Sequence, residues 1–302
     1  VLFLIAAYNK NIKLTLDFTR FTRHFWYEIR CAWLVHRSAT YVRRYKLKGV
    51  LVKKYSNSAH RILNIIQIAA PSGGNNPTTT VWANVFGLDA ELAKSDPHFV
   101  HQKLTLFRAE LDLLASAMAT TGFSEKLYKP YINNISRTVS VTNIGAAWSS
   151  YSSNLGADTI LAINFCAEIL PDESECDFDS LTEIIDSITK LREQVENSDL
   201  HEVTKSFVLS QISIIEKAIQ NYPITGVDSI KRAFSEGFSD ICSRADNIRE
   251  EDADIRSKVG EFWVKLRKVG GAAVEADKIV SAVVKLVENG DKLKDGIAGL
   301  LQ

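Results

Sequence analysis

The chain of 302 residues is short of breakers and crosslinkers: it has 6 prolines, 15 glycines, 4 cysteines and one methionine. So little Pro and Gly excludes a collagen-like or low-complexity chain, and 46% hydrophobic with 24% charged residues excludes bulk disorder. Cys31, Cys166, Cys176 and Cys242 make no C-x-x-C pair, so no zinc ribbon, thioredoxin-like site or disulfide framework is encoded. Cys166 and Cys242 fall in apolar periodic segments, where a free cysteine acts as a small hydrophobe. No run of 18 apolar residues is present, so no standard membrane-spanning helix is expected. Residues 1–7 are apolar but lack a basic leader, and Tyr8-Asn9-Lys10 is a poor cleavage context. A cytoplasmic location follows as the expectation, with peripheral membrane attachment as its variant. Ser72-Gly73-Gly74 is not followed by G-K-[ST], and neither G-x-G-x-x-G nor G-x-S-x-G occurs. The acidic runs Asp172-Glu173 and Glu250-Glu251-Asp252 lack an EF-hand arrangement. No cofactor, no metal and no enzymatic activity are expected from these patterns.

What is there is an asymmetry hidden by a formal net charge of zero. Residues 1–66 carry 13 Lys and Arg against two acids, Asp17 and Glu28, whereas 67–302 carry 23 basic against 34 acidic residues. The first part is thus +11 and the second −11. Eleven of the 28 aromatic residues also lie in the first 66. Such a division implies a region with its own partner. Ala70-Pro71-Ser72-Gly73-Gly74-Asn75-Asn76-Pro77 is a cluster of turn formers, so 70–80 reads as a linker. The organisation expected is a basic, aromatic-rich arm over 1–69, the linker 70–80, an acidic helical bundle over 81–242, and a charged connector with C-terminal amphipathic helices over 243–302. Three readings of the arm stand side by side: it binds phosphates in nucleic acid or lipid, it docks on the acidic remainder, or it is an upstream extension of the reading frame. The last rests on the opening valine, since the only methionine is Met118.

Helical periodicity dominates after residue 80. Val100, Leu104, Phe107, Leu111, Leu114 and Met118 step by four and three, which makes one face of a helix over 97–121, with Ser95 or Asp96 as cap and Gly122 as its stop. A shorter helix is expected near 124–136, an irregular connector over 140–153, and a largely buried helix over 155–169 carrying Leu155, Ile160, Leu161, Phe165 and Ile169. Leu181 to Val195, Val208 to Tyr222 and Val227 to Ile241 give three more apolar faces, joined by connections short enough for an antiparallel hairpin stack. Pro223 is expected to end the middle helix. The fold class expected is therefore mainly α, an antiparallel helical bundle. The structure of the arm is less determined: Ile12, Leu14, Leu16 and Phe18 alternate like a strand, 45–52 pairs as a hairpin, and 58–69 reads as helix, so a small α+β arm and a disordered one both remain open.

Arg30 and His36, an R-x5-H pair, resemble the motif of HEPN ribonucleases over seven residues. The resemblance implies an all-helical site in which both act on an RNA phosphate, against the plain reading of a basic helix with an incidental histidine. Arg37, Arg43, Arg44, Lys46 and Lys48 are the phosphate-binding candidates of the arm. His98 and His101 are one turn apart, but no third ligand converges in sequence. Phe262, Trp263, Ile279, Val283 and Val287 are the candidate contacts for a partner, and 272–301 with its lysines is a candidate for a membrane surface. The stretch from Ser198 through Ala218-Ile219-Gln220-Asn221-Tyr222-Pro223-Ile224-Thr225-Gly226 to Ala233 is similar to a recurring helical region of uncharacterised bacterial proteins, over about 80–302. That resemblance implies an all-helical architecture and carries no functional residue. The function expected is a helical interaction or regulatory protein with a protein partner. The alternatives are nucleic-acid binding or HEPN-like ribonuclease action through 1–66, and membrane association through the C-terminal helix.

Overall fold

A computed structural model describes residues 57–140, 142, 144–173, 178–244 and 253–269, with backbone alone for 178–182, 242, 244 and 253–257. All described residues belong to one compact unit within Tyr45–Gln302. They are mainly α, and no strand occurs among them beyond one isolated bridge between Pro77 and Ala147. The elements are α1 (Ser58–Ala69), α2 (Thr78–Val85), α3 (Ala90–Ser95), α4 (His98–Ala119), α5 (Lys129–Thr138), a single turn α6 (Ser149–Ser152), α7 (Ala157–Ile169), α8 (Phe178–Glu196), α9 (Glu202–Thr225), α10 (Val227–Arg244) and α11 (Ala253–Val269). Among these described residues no helix is long and apolar enough to cross a membrane.

Two apolar cores account for the packing. In the first, α1, α2, α4, α5 and α7 close around Trp82, which stacks on Phe86 at 5.6 Å and meets Trp148 edge-on at 5.7 Å and Phe107 at 5.8 Å. The Trp82 indole N–H donates to the Thr138 carbonyl, so this fully enclosed ring leaves no donor unmet. The α4 face expected from the sequence, Val100 through Met118, is wholly inside this core. The second core holds α8, α9, α10 and α11, with α9 in the middle. Val208, Ile212, Ile215, Ile219 and Tyr222 line one seam of α9, and Phe207, Leu209, Ile214 and Ala218 fill the rest.

Four expectations change. Residues 58–69, grouped with the basic arm by composition, form α1, whose Ile62 and Ile66 are fully enclosed in the first core. The turn-rich stretch near 70–80 is not a tether: Thr78 N–H donates to the Ala146 carbonyl, Thr79 N–H to Ile144, Trp148 N–H to Asn76 and Ser149 N–H to Gly74. Its backbone groups are satisfied by the 144–149 loop, which is what lets both loops pack. Pro223 sits inside α9, because its fixed φ suits a helix and Ile224, 2% exposed, is drawn into the first core. The helix ends instead at Gly226, where φ is +57°. Finally, Trp263, expected at a partner surface, is on α11 and is sealed in the second core.

Trp263 fits because Gly237 on α10 has no side chain. A Cβ there would lie 2.5 Å from Trp263 Cζ2. The indole cannot easily retreat, since its N–H donates to Gln211 Oε1 at 3.0 Å and Gln211 in turn donates to Asp240 at 2.7 Å. Gly237→Ala, which in an open helix would add about 0.5–1 kcal/mol of stability, is therefore expected to remove about 1–3 kcal/mol by overpacking. Urea unfolding checks the sign, and a raised midpoint would show that the ring moves freely.

Candidate functional site

The polar interior comes first, because it decides what can be chemistry. On α4, Lys103 and Glu110 are seven residues apart on the helical row that also holds Phe107, and they meet α9 and α1 respectively. Arg61 of α1 reaches Glu110 through both Nε, at 3.1 Å, and Nη2. It also donates to Glu173, at 2.5 Å and 3.0 Å, from the segment that follows α7. The side chains of Arg61 and Glu110 are 5% and 1% exposed. Burial opposes the Arg61 charge, but Glu173 and Glu110 outweigh it and hold the guanidinium pKa above its ordinary value. Burial pushes the Glu110 carboxyl up, against the pull of Arg61. Gly226 completes the nest, since a Cβ there would lie 2.6 Å from Arg61 Nη1.

Lys103 is buried without an ion pair among the described residues. Its ammonium donates to the Gln220 carbonyl at 2.8 Å and to Asn221 Oδ1 at 2.7 Å, both on α9. Burial pushes its pKa down to about 7. A third buried polar unit lies in the second core, where Arg192 of α8 makes a two-point contact with Glu216 of α9 at 3.3 Å and 2.7 Å. These groups resemble catalytic ones in their burial and shifted pKa values. Their partners, however, are one another and backbone carbonyls, and a substrate would have to displace helices to reach them. They hold the helices in register. His98 and His101 do not converge with other ligands: the His98 ring pairs with Gln102 at 2.9 Å, and among the described residues no group of three His, Cys, Asp or Glu side chains is placed to hold a metal ion.

The surface feature with the clearest functional content is on α7. Asn57 pins this helix. Its Oδ1 caps α1 by accepting from His60 N–H, while its Nδ2 donates to the carbonyls of Ala167 at 2.9 Å and Leu170 at 3.2 Å. The start of α1 thus meets the end of α7, and the two helices run antiparallel. Ala162, Ile163, Cys166 and Ala167 are buried against the first core. Burial holds the Cys166 thiol up at about 11, so it is an inert packing group. Nine of the 13 residues of α7 are apolar, more than one face can take in. Leu161 and Phe165, one turn apart, are left 54% and 58% exposed. Asp158 and Glu168 flank them on the same side, both exposed, and the helix has no Lys or Arg. Ile68, 45% exposed on α1, is level with the first turns of α7. The arrangement is an apolar strip with acidic ends.

The structure treats the residues singled out in the sequence unevenly. Phe262 and Trp263, expected at a partner surface, are 8% and 0% exposed and belong to the second core, so their rings are not available for contact. Their apolar spacing signalled core rather than interface. Ile279, Val283 and Val287 lie outside the described residues, as do Arg30, His36, Arg37, Arg43, Arg44, Lys46 and Lys48. Leu161 and Phe165, expected to be buried, are the exposed pair. The signal that reveals them is their spacing with Asp158, Asn164 and Glu168, which puts the pair on the side of α7 that carries its charged residues. Lys103 and Glu110 were readable too, as charged residues on the helical row Val100, Lys103, Phe107, Glu110, Leu114. No family model, curated protein or solved structure shows a significant match to this chain.

Two outcomes follow from the buried charges. Arg61→Met leaves Glu110 enclosed without a counter-ion and is expected to cost about 3–5 kcal/mol in urea unfolding, whereas Arg61→Met with Glu110→Leu recovers most of that loss. Losses that simply add would show that the two side chains are not coupled. Lys103 gives a pH signature. With a folded pKa of about 7 against an ordinary 10.5, the unfolded chain holds the extra proton between those values. Stability contributed at this site is therefore lowest below pH 7 and rises with pH above it, by up to about 1.4 kcal/mol per unit. The difference in unfolding free energy between wild type and Lys103→Met, measured from pH 7 to 9, should show this slope, and a flat difference would count against it.

Proposed function

We propose that this chain is a non-enzymatic helical interaction protein that binds an amphipathic helix of a partner protein along the exposed strip of α7. The observation that carries the reading is the Leu161–Phe165 pair, more than half exposed on a helix whose exposed side otherwise carries Asp158, Asn164 and Glu168. Apolar side chains spaced by four residues form the ridge that a partner helix with i, i+3, i+4 anchors packs against. Asp158 and Glu168 at the ends of the strip, with no basic residue between, select a partner whose apolar face is flanked by Lys or Arg. Such a role suits the all-helical scaffold. The reading through nucleic acid or RNA cleavage depends on 1–66, most of which lies outside the described residues; a complex with a steep salt slope, lost on deleting 1–66, would favour it instead.

The test is fluorescence anisotropy of a labelled 18-residue Leu/Lys amphipathic helix with the full chain. Saturable binding near ~10 µM is expected, weakened at least about tenfold by Leu161→Ser with Phe165→Ser. The double variant should unfold within about 0.5 kcal/mol of wild type, because both side chains are at the surface. Asp158→Asn with Glu168→Gln should lower affinity and its salt dependence together. Equal affinity in all variants would overturn the proposal. So would a wild-type dimer in sedimentation that Leu161→Ser with Phe165→Ser abolishes, since the occupant would then be a second copy.

A further inference from the structure

A different surface of the same unit has the composition of a ligand site. Between α4, the end of α5 and α6 lies an open groove of about 610 Å³. Arg108 of α4 and Arg137 from the last turn of α5 both line it, together with Ser136, Ser140, Ser150 and Tyr151. No carboxylate is among the described residues that line it. Two guanidinium groups brought to one concavity repel each other unless an anion lies between them. Neither is held in a buried ion pair. Arg108 has only Asp112, one turn on along its own helix, at 3.7 Å with both side chains exposed, and Arg137 makes no ion pair with any described residue. The hydroxyls add further donors, and that of Ser140 is placed by Thr142 at 2.8 Å. Tyr151 is packed against the first core, so it is a fixed aromatic wall rather than a swinging side chain.

We infer that this groove binds the phosphate monoester of a small organic molecule, with Arg108 and Arg137 clamping the phosphoryl group. The choice of phosphate over carboxylate rests on donor count. Two guanidinium forks and three serine hydroxyls exceed what the two oxygens of a carboxylate can accept, and they match the three terminal oxygens and near double charge of a phosphate ester. The volume decides for an esterified molecule over the bare ion. It is in the usual range of ligand sites, about 300–1,000 Å³, and leaves room beside the aromatic wall for an organic body. The inference is independent of the α7 strip, which shares no residue with it.

Isothermal titration of the full chain with phenyl phosphate, phenyl sulfate and inorganic phosphate tests it. Phenyl phosphate is expected to bind at least about tenfold more tightly than the singly charged sulfate ester or the bare ion, and more tightly as pH rises through about 6, where the second proton leaves. Arg108→Gln and Arg137→Gln should each weaken it about tenfold or more, and Arg108→Lys should restore only part of the loss, since an ammonium lacks the planar fork. Lys217→Gln, an exposed lysine on α9 outside the groove, should leave binding unchanged, as should Leu161→Ser with Phe165→Ser. Absence of binding, equal binding of phenyl sulfate, or unchanged affinity in Arg108→Gln with Arg137→Gln would each overturn the inference. Thermal unfolding of the variants confirms that these exposed substitutions leave the fold in place.

Discussion

The first core is held in register by one buried cation. Arg61 emerges from α1, where its neighbours Ile62 and Ile66 are deep in the first core, so its guanidinium has no route to water. A buried charge left unpaired would cost several kcal/mol, on the order of the whole stability of many domains. The chain therefore has to bring Glu110 from α4 and Glu173 from beyond α7 to the same point. The joint between α9 and α10 closes over the group at Gly226, which has no side chain to obstruct it. Few other arrangements of these helices would satisfy the guanidinium, and this is a geometric demand that apolar packing alone does not make.

The same demand joins the two cores. Apolar side chains are tolerant partners, and two bundles with aliphatic faces can slide or rotate against each other. The contacts between α4 and α9 are not tolerant in this way. Lys103 donates to Gln220 and Asn221 on α9, one helical turn short of Pro223, and Ile224 from the same end of α9 enters the first core. The register of α9 on α4 is thus set by a buried ammonium and one isoleucine. With both cores anchored, the outward faces are determined as well. α4 sends Arg108 outward beside α5 and α6, while α7, pinned at one end by Asn57, keeps Leu161 and Phe165 outward because α1 occupies the side they might have filled.

Much of this was legible in the sequence, and for a clear reason. Where a helix buries one face, the apolar spacing repeats with the helical period, and α4, α8, α9 and α10 were all placed by that repeat to within a few residues. Spacing fails where its premise fails. On α7 apolar residues also lie on the side that carries its charged residues, so apolar periodicity alone could not say which of them are covered, and the exposed pair was assigned to the core. The helix at 58–69 was read as such, but the basic composition of the preceding residues grouped it with the arm rather than with the first core. Pro223 was read by its intrinsic preference, which tertiary burial of Ile224 overrides. Phe262 and Trp263 were read as a surface patch because nothing in the sequence reveals that Gly237 leaves a slot for the indole.

The sequence by itself determined the fold class and the positions of most of the described helices, since these depend on residues within one or two turns of each other. It also determined the charge imbalance between 1–66 and the rest, which is pure composition. Only the tertiary structure decided which charged residues are enclosed and which apolar ones are left outside. Arg61 and Glu110 are 49 positions apart, Arg61 and Glu173 112 apart. Pairing across such distances is a property of how faces are stacked, and no local pattern records it.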